Sequence, residues 1–545
     1  MRPVPQPIPG GSFRARFAAF AGLFFDEFAP DSCWIRESAR VELPALADVR
    51  AIVLRGDFRP HPQARGLEGG RPGLAVRLNG RPAGRIDPAA TGAFELRFEL
   101  PARPEGDTHV LDLRLTGVGF TNLLAWLGRV TGLGPWQRFR AQRRNRQLRL
   151  TRLETAAGEV IFDFGNRNAP YSADFARRHT HLGLNVAGFL TAELGVGESA
   201  RCMVRAADAA GLPAALVPLK LHCKNPLGDQ TFAARLQEAN PHGVNVVHLD
   251  PPASRDLDHH HPTFRAGRYN IAYWAWELPE FPDAWVPACA YFDEIWCPSD
   301  FVREAVSLKV PLPVITMPHA IGFAPPPADG RAHFGLPAGT FLFLVLYDLN
   351  SYTARKNPQA AIEAFRRSGL AGQGAALVIK VHNVAGNEAD YQQLQAAVAD
   401  LPGTVLLTET LGREDVYRLQ AACDCYVSLH RSEGFGLAVA ECMLLGKPVI
   451  ATDWSATAEF LDATNGCPVR YRLVPLERNH GPYGKGQVWA EADPDHAADW
   501  MRRLHADAGL CARLGAAAHA TIVARFSPGV VGARYRKRLE GIACF

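Results

Sequence analysis

Glu433 and Glu441 stand eight positions apart, on either side of a glycine turn in the string Ser432-Glu-Gly-Phe-Gly-Leu437. An apolar run at 425–429 precedes them, and residues 437–446 read as a helix that ends on Gly446. Lys447-Pro448 then leads into a second apolar run at 449–452. Strand, glycine turn and helix start together make an anion site, because the amides of Gly434, Phe435, Gly436 and Leu437 lie at the positive helix end. Carboxylates on both sides suit a ligand that carries a diphosphate and hydroxyl groups. A nucleotide sugar has both. A bare pair of glutamates at this spacing arises by chance in most chains of this size, as solvated helix carboxylates. The surrounding string therefore carries the argument.

Other candidates lie outside that string. Arg355-Lys356-Asn357-Pro358 follows an apolar run and opens a helix, where a cation can reach a diphosphate on the neighbouring helix start. Glu193-Leu-Gly195-Val-Gly197-Glu198 follows an earlier apolar run and also opens a helix, although a plain tight turn would give the same glycines. His248 ends the run 244–249, as a cleft residue or as a core histidine satisfied at a strand end. The aromatic segment from Tyr273 to Glu280 offers indole platforms for a sugar or filling for a core, with Glu277 as a cleft carboxylate.

The elements that position these residues fall into three regions. Between residues 33 and 165, short alternating runs at 49–55, 74–78, 94–100, 109–115, 148–154 and 159–164 read as strands, with Asn79-Gly80 as a hairpin turn. Strands without interleaved helices predict a β-sandwich, preceded by an extension over 1–32. One insertion at 121–146 holds an apolar segment around Trp126 and a run of arginines. From 183 onward, near-continuous apolar runs alternate with helical stretches, as buried parallel strands require. The Pro325-Pro326-Pro327 linker divides this series into Rossmann-like halves at 183–325 and 335–527, and 528–545 reads as a helix crossing back to the first half. The fold class is thus multi-domain, an all-β sandwich followed by two Rossmann-like domains facing a cleft.

Composition narrows the function classes. At 545 residues, 47% hydrophobic and 21% charged, the chain has ordinary globular proportions, and a net charge of +4 does not suit a dedicated nucleic-acid binder. Eleven scattered cysteines read as reduced core thiols of a cytoplasmic protein. No apolar run approaches the ~20 residues of a membrane span, and the short run at 17–25 lacks a signal-peptide cleavage site. The cluster from Arg138 to Arg149 is either a solvated surface or a peripheral contact with anionic lipid at the inner face of a membrane.

Read in order, S-E-G-F-G-L-x-x-x-E-x-M-x-x-G-K-P-V-I-A-T-D resembles the donor-site signature of retaining glycosyltransferase family four, the group 1 glycosyl transferases of GT-B fold. The resemblance covers 183–545. It implies sugar transfer from a UDP- or GDP-linked donor to a glycan or lipid-linked glycan acceptor, as in bacterial surface polysaccharide synthesis, with no cofactor. It gives Glu441 the ribose hydroxyls, Glu433 the donor sugar or reaction centre, Lys356 the diphosphate, and His248 a place near the donor sugar. Gly195 and Gly197 would close a loop near the phosphates. The family's arginine partner falls where this chain has Asn350 and Ser351, and Arg355 is the substitute. The segments 273–280 and 471–475 resemble a bacterial subgroup. Asp256-Leu-Asp258-His-His-His261 looks like a metal site, but GT-B enzymes manage the leaving diphosphate with side chains and helix dipoles, so no metal is expected. A non-catalytic glycan-binding protein with a relic GT-B module, or a nucleotide-sugar epimerase, are the alternatives.

Overall fold

A computed structural model describes residues 20–24, 33–44, 49–58, 73–86, 92–103, 108–116, 130–131, 148–165, 172, 175 and 182–543, the last stretch without 224, 262–263 and 266–267. The chain divides into two compact units, Met1–Leu182 with Arg538–Phe545, and Gly183–Lys537.

The first unit is strand-rich. Its strands are β1 (Phe20–Phe24), β2 (Cys33–Pro44), β3 (Ala51–Phe58), β4 (Gly73–Leu78), β5 (Arg81–Ile86), β6 (Gly92–Glu99), β7 (Thr108–Thr116), β8 (Leu148–Thr155) and β9 (Val160–Asp163). All described ladders are antiparallel, ordered β5-β4-β7-β2-β8-β3-β6, with β1 on β2 and β9 on β8. Asn79 and Gly80 adopt φ of 53° and 79°, the turn that right-twisted hairpin strands demand, and β4 pairs with β5 across it. Leucine and isoleucine at alternate positions (Ile52, Leu54, Leu111, Leu113, Leu148, Leu150) fill the core. The sheet curls until its end strands meet: a Cβ added to Gly84 on β5 would lie 3.1 Å from the Phe98 ring on β6. The two layers expected from the alternation are therefore parts of one curled ladder. The Trp126 segment and Arg138, Arg140, Arg143, Arg144 and Arg146 lie outside the described residues. Arg149 sits on β8 and pairs with Asp57 at 3.3 Å.

The second unit contains the two Rossmann-like halves. In the first, β10 (Leu184–Gly188), β11 (Ala214–Pro218), β12 (Val244–His248), β13 (Tyr269–Tyr273), β14 (Glu294–Cys297) and β15 (Val314–Thr316) form a parallel sheet ordered β11-β10-β12-β13-β14-β15. In the second, β16 (Phe341–Asp348), β17 (Ala375–His382), β18 (Val405–Leu407), β19 (Cys425–Ser428), β20 (Val449–Thr452) and β21 (Cys467–Val469) are ordered β18-β17-β16-β19-β20-β21. Each order reverses once, at β10/β12 and at β16/β19, and the carboxyl ends of the strands at such a reversal are where doubly wound folds bind ligands. This is the GT-B arrangement. Register in the first sheet is pinned by a buried ladder: Asn185 donates to Asn245 at 2.8 Å, and Asn245 to Asn270 at 2.9 Å. A slipped strand would leave those buried amides unpaired, which is costly.

Two elements lock the halves together. The hairpin of β22 (Tyr471–Pro475) and β23 (Val488–Ala492) belongs by sequence to the second half, yet Leu476, Tyr483 and Trp489 enter the core of the first around Trp276, Leu278 and Phe281. The helix Pro528–Ala543 lies on the first half, where Tyr535 stacks on Trp296 at 5.4 Å and Gly532 packs directly on the Ala206 carbonyl. No described helix is long and apolar enough to cross a membrane.

Candidate functional site

Between the two halves lies a cleft of about 1370 Å³, walled by the carboxyl ends of β10, β12 and β13 on one side and of β16, β17 and β19 on the other. Chain reversal places it there. Each strand hands its last residues to a loop at the mouth, so residues far apart in sequence converge.

At the end of β19, Glu433 is held by two cations. Lys356 Nζ is 2.5 Å from Glu433 Oε1, and Arg355 Nη1 is 3.3 Å from the same oxygen. Arg355 is itself buried and donates to the Ser432 carbonyl at 3.0 Å. Burial opposes the Glu433 charge, but the Lys356 ammonium and the Arg355 guanidinium outweigh it and hold the carboxyl at about 2. Burial also draws Lys356 below its ordinary value against the attraction of Glu433. The turn presenting the two cations is strained, with φ of 62° at Tyr352 and 50° at Asn357. The Ser455 hydroxyl accepts from the Glu433 amide at 2.9 Å and fixes the carboxylate's backbone.

Gly434, Phe435, Gly436 and Leu437 line the cleft beside it. Gly436 has φ of 92° and caps the helix Leu437–Leu444, whose first-turn amides have no intrahelical acceptors. Gly434 is where the halves touch: a Cβ would lie 2.8 Å from the Trp276 carbonyl, and Ser299 donates to the Gly434 carbonyl at 2.7 Å. One turn into that helix, Glu441 is buried, bonded to Arg413 through Oε1 and accepting from Gln420 at 2.8 Å through Oε2.

The first half contributes differently from the sequence reading. Gly195 opens the helix Gly195–Ala209 at the cleft wall. Gly197 sits behind it, where a Cβ would lie 2.6 Å and 2.7 Å from the carbonyls of Ala192 and Phe189, so close packing accounts for that glycine. His248 is fully buried, bonded to the Ser199 hydroxyl at 2.8 Å and stacked on Tyr273 at 4.5 Å. Burial, and then His319, keep its imidazole well below its ordinary value. His248 is thus a core histidine here, outside the cleft, and His319 takes the cleft-facing place, hydrogen-bonded to Tyr273 at 3.1 Å. Burial holds His319 neutral, at about 3. Glu277 reaches the cleft and meets Arg355 at 3.8 Å.

Several cleft residues escaped the sequence reading. Lys380 and His382, at the end of β17, face the cleft with Asp348. Burial draws Lys380 down to about 8, opposed by Asp348, Glu409 and Glu193. A lysine inside the apolar run Ala375–His382 was the available signal. Glu193 Oε2, Tyr347 Oη and His382 Nε2 line the same space without hydrogen-bond partners, which suits a polar ligand. Arg413 had no signal, because the carboxylates it meets, Glu198 and Glu441, come from distant segments.

The 251–261 stretch folds as the short helices Pro251–Asp256 and Leu257–His260, and His261 accepts from the Lys220 amide at 3.2 Å. Among the described residues no three His, Cys, Asp or Glu side chains gather to hold a metal ion. The described cysteines are free; burial raises those of Cys202, Cys423, Cys425 and Cys442, as inert core thiols require.

With this geometry established, residues 342–520 match the family model described as Glycosyl transferases group 1. That match lies within the second half. It holds Lys356, Glu433 and Glu441, and it spans about a third of the 545 residues. No curated protein matches the chain in sequence. Among solved structures, HepE from Anabaena in complex with UDP and glucose is similar at 16% identity, over 66% of this chain and 100% of its own, with a TM-score of 0.47. Sucrose-phosphate synthase from Thermosynechococcus elongatus is similar at 14% identity, over 66% and 99%, with a TM-score of 0.49. TarM from S. aureus, in complex with fondaparinux, alpha-GlcNAc-glycerol and UDP, is similar at 13% identity and a TM-score of 0.39; the match covers 55% of each chain, so this chain spans about half of TarM.

Proposed function

We propose that the protein is a retaining, metal-independent glycosyltransferase that moves a sugar from a UDP- or GDP-linked donor to a hydroxyl of a glycan or lipid-linked glycan. The observation that carries this reading is the Lys356–Glu433–Arg355 cluster beside the open helix start at Gly436, inside the group 1 domain. The donor diphosphate sits on the amides of the helix Leu437–Leu444, with Lys356 and Arg355 beside its oxygens, and Glu441 takes the ribose. As the bond from anomeric carbon to phosphate oxygen breaks, charge grows on the diphosphate, where two cations and a helix dipole are already oriented. The acceptor oxygen attacks from the same face, and its proton passes to the departing phosphate oxygen. Configuration is retained and no separate protein base is needed.

A role in bacterial surface polysaccharide synthesis is supported by the likeness of 273–280 and 471–475 to a bacterial subgroup. Within the cluster Arg138–Arg149 we infer that the arginines up to Arg146 would supply a peripheral contact with an anionic membrane, since Arg149 is paired with Asp57. The test is donor turnover: a panel of nucleotide sugars is incubated with glycan and lipid-linked acceptors, and both glycoside and nucleoside diphosphate are quantified. Acceptor-dependent release of nucleoside diphosphate with α-to-α or β-to-β outcome supports transfer. Nucleoside diphosphate and free epimerised sugar without acceptor turnover point to an epimerase instead.

A further inference from the structure

Arg413 is out of place by local rules. It is the first residue of the helix Arg413–Ala422, at the positive end of the helix dipole, where the next residues, Glu414 and Asp415, have the favoured sign. What holds it there is tertiary. Its Nη2 bonds Glu441 Oε1, its Nε donates to the Tyr417 hydroxyl at 3.0 Å, and its guanidinium lies 4.8 Å from the Tyr417 ring centroid. Phe323 stacks flat on that ring at 3.6 Å. The same guanidinium reaches across the cleft: Arg413 Nε is 3.5 Å from Glu198 Oε2, on the helix Gly195–Ala209 of the first half. Glu198 is in turn fixed by Arg201 at 2.9 Å and by Arg205.

The consequence falls on Glu441. An ionised carboxylate offers about four lone-pair directions, and Arg413 and Gln420 each take one, on different oxygens. The carboxylate is thus held through both oxygens, and these two bonds leave other lone-pair directions over. Because Glu198 belongs to the opposite half, the orientation of Glu441 depends on both walls of the cleft.

We propose that Arg413 is a positioning residue of the donor site, setting the Glu441 carboxylate for the nucleoside's ribose and tying that setting to Glu198 across the cleft. This rests on the reading of Glu441 as the ribose acid. A planar guanidinium can serve both carboxylates at once, whereas a lysine ammonium is a single point charge. In this proposal Arg413 acts on the donor through Glu441, so its effect should follow the ribose and not the phosphates.

That distinction supplies the test. Binding of UDP, GDP and inorganic pyrophosphate is measured by calorimetry on the full chain and on the Arg413→Gln, Arg413→Lys and Glu441→Gln variants. The expected result is a roughly tenfold loss of affinity for the preferred nucleoside diphosphate in Arg413→Gln, with pyrophosphate binding unchanged and a partial return in Arg413→Lys. Equal losses for nucleoside diphosphate and pyrophosphate would make Arg413 a general structural residue and overturn the proposal. So would unchanged binding of all three ligands in both Arg413 variants while Glu441→Gln loses nucleoside diphosphate. If Glu441→Gln itself binds nucleoside diphosphate as the wild type does, the ribose reading has failed and the proposal falls with it. Should Arg413→Gln fail to fold, Arg413→Lys keeps the charge and answers the same question.

Discussion

Glu277 of the first Rossmann-like half and Arg355 of the second face each other across the cleft at 3.8 Å, and Tyr483 donates to the same carboxylate at 2.9 Å. Arg355 also holds Glu433, so the motif is Glu–Arg–Glu with its ends in different halves. Glu198, Arg413 and Glu441 repeat it. Each glutamate of the donor signature is thus reached by an arginine that also meets a glutamate of the opposite wall. Ion pairs at such enclosed sites lose much when one partner is deleted, because the remaining charge stays buried.

The Glu433 cluster should matter more for turnover than for binding. Lys356→Ala is expected to lower kcat by about 100-fold or more, the scale seen when one oriented donor to developing charge is removed, with a smaller change in donor Kd. Steady-state kinetics beside calorimetry separates the two. A fall in affinity with unchanged kcat would place Lys356 in ground-state binding only.

Glu441→Ala should weaken nucleoside diphosphate by about 1.5–3 kcal/mol, the worth of hydrogen bonds to a charged group, and leave pyrophosphate unaffected. Wild-type affinity in this variant would remove Glu441 from the site.

Two buried groups should give pH signatures in separate windows. The Glu433 value falls from 4.5 to about 2 on folding, so its ion pairs stabilise the fold above pH 4.5 and are lost as pH falls toward 2. The melting-temperature gap between wild type and Glu433→Gln should therefore shrink across that window. Lys380 falls from 10.5 to about 8, so the folded state disfavours its charge, and stability contributed at this site rises between pH 8 and 10.5. Lys380→Met should melt higher than wild type at pH 7, with the gap closing toward pH 10.5. A gap that is flat with pH at either position contradicts its assignment.

If Lys356, Arg355 and the helix start take the place of a divalent cation, as proposed, activity should survive EDTA. Complete loss on chelation, restored by manganese, would require a metal site and reopen the 256–261 segment.

The hairpin that carries Tyr483 should hold the halves in register. Tyr483→Phe removes one hydrogen bond to the Glu277 carboxylate, worth about 1.5–3 kcal/mol, and should lower stability by that order in denaturant unfolding. Tyr483→Ala also empties a buried site beside Trp276 and should cost about 3–5 kcal/mol in denaturant unfolding. A chain beginning at Arg177 should still bind nucleoside diphosphate like the full chain, because the cleft residues run from Glu193 to Tyr483. Lost binding would mean that the strand-rich unit supports the cleft.

What the sequence alone determined was whatever local chemistry controls. Period-two alternation and Asn79-Gly80 made the strands of the first unit legible, and buried parallel strands such as 341–346 and 376–381 declared themselves as unbroken apolar runs. The glycine turn at Gly434–Gly436 marked a helix start with open first-turn amides, because φ of 92° at Gly436 and the missing acceptors are local properties. The tertiary structure decided how distant carboxylates and arginines meet. No spacing rule joins Glu198 to Arg413 or Glu277 to Arg355, since those pairs form only when two sheets bring their carboxyl ends together. It also separated two histidines of similar appearance. His248 ends a strand where the side chain turns inward onto Ser199, and His319 lies on a loop that opens on the cleft. Side-chain direction at a strand end is set by the packing of its neighbours, and neighbours from other strands are absent from a linear reading.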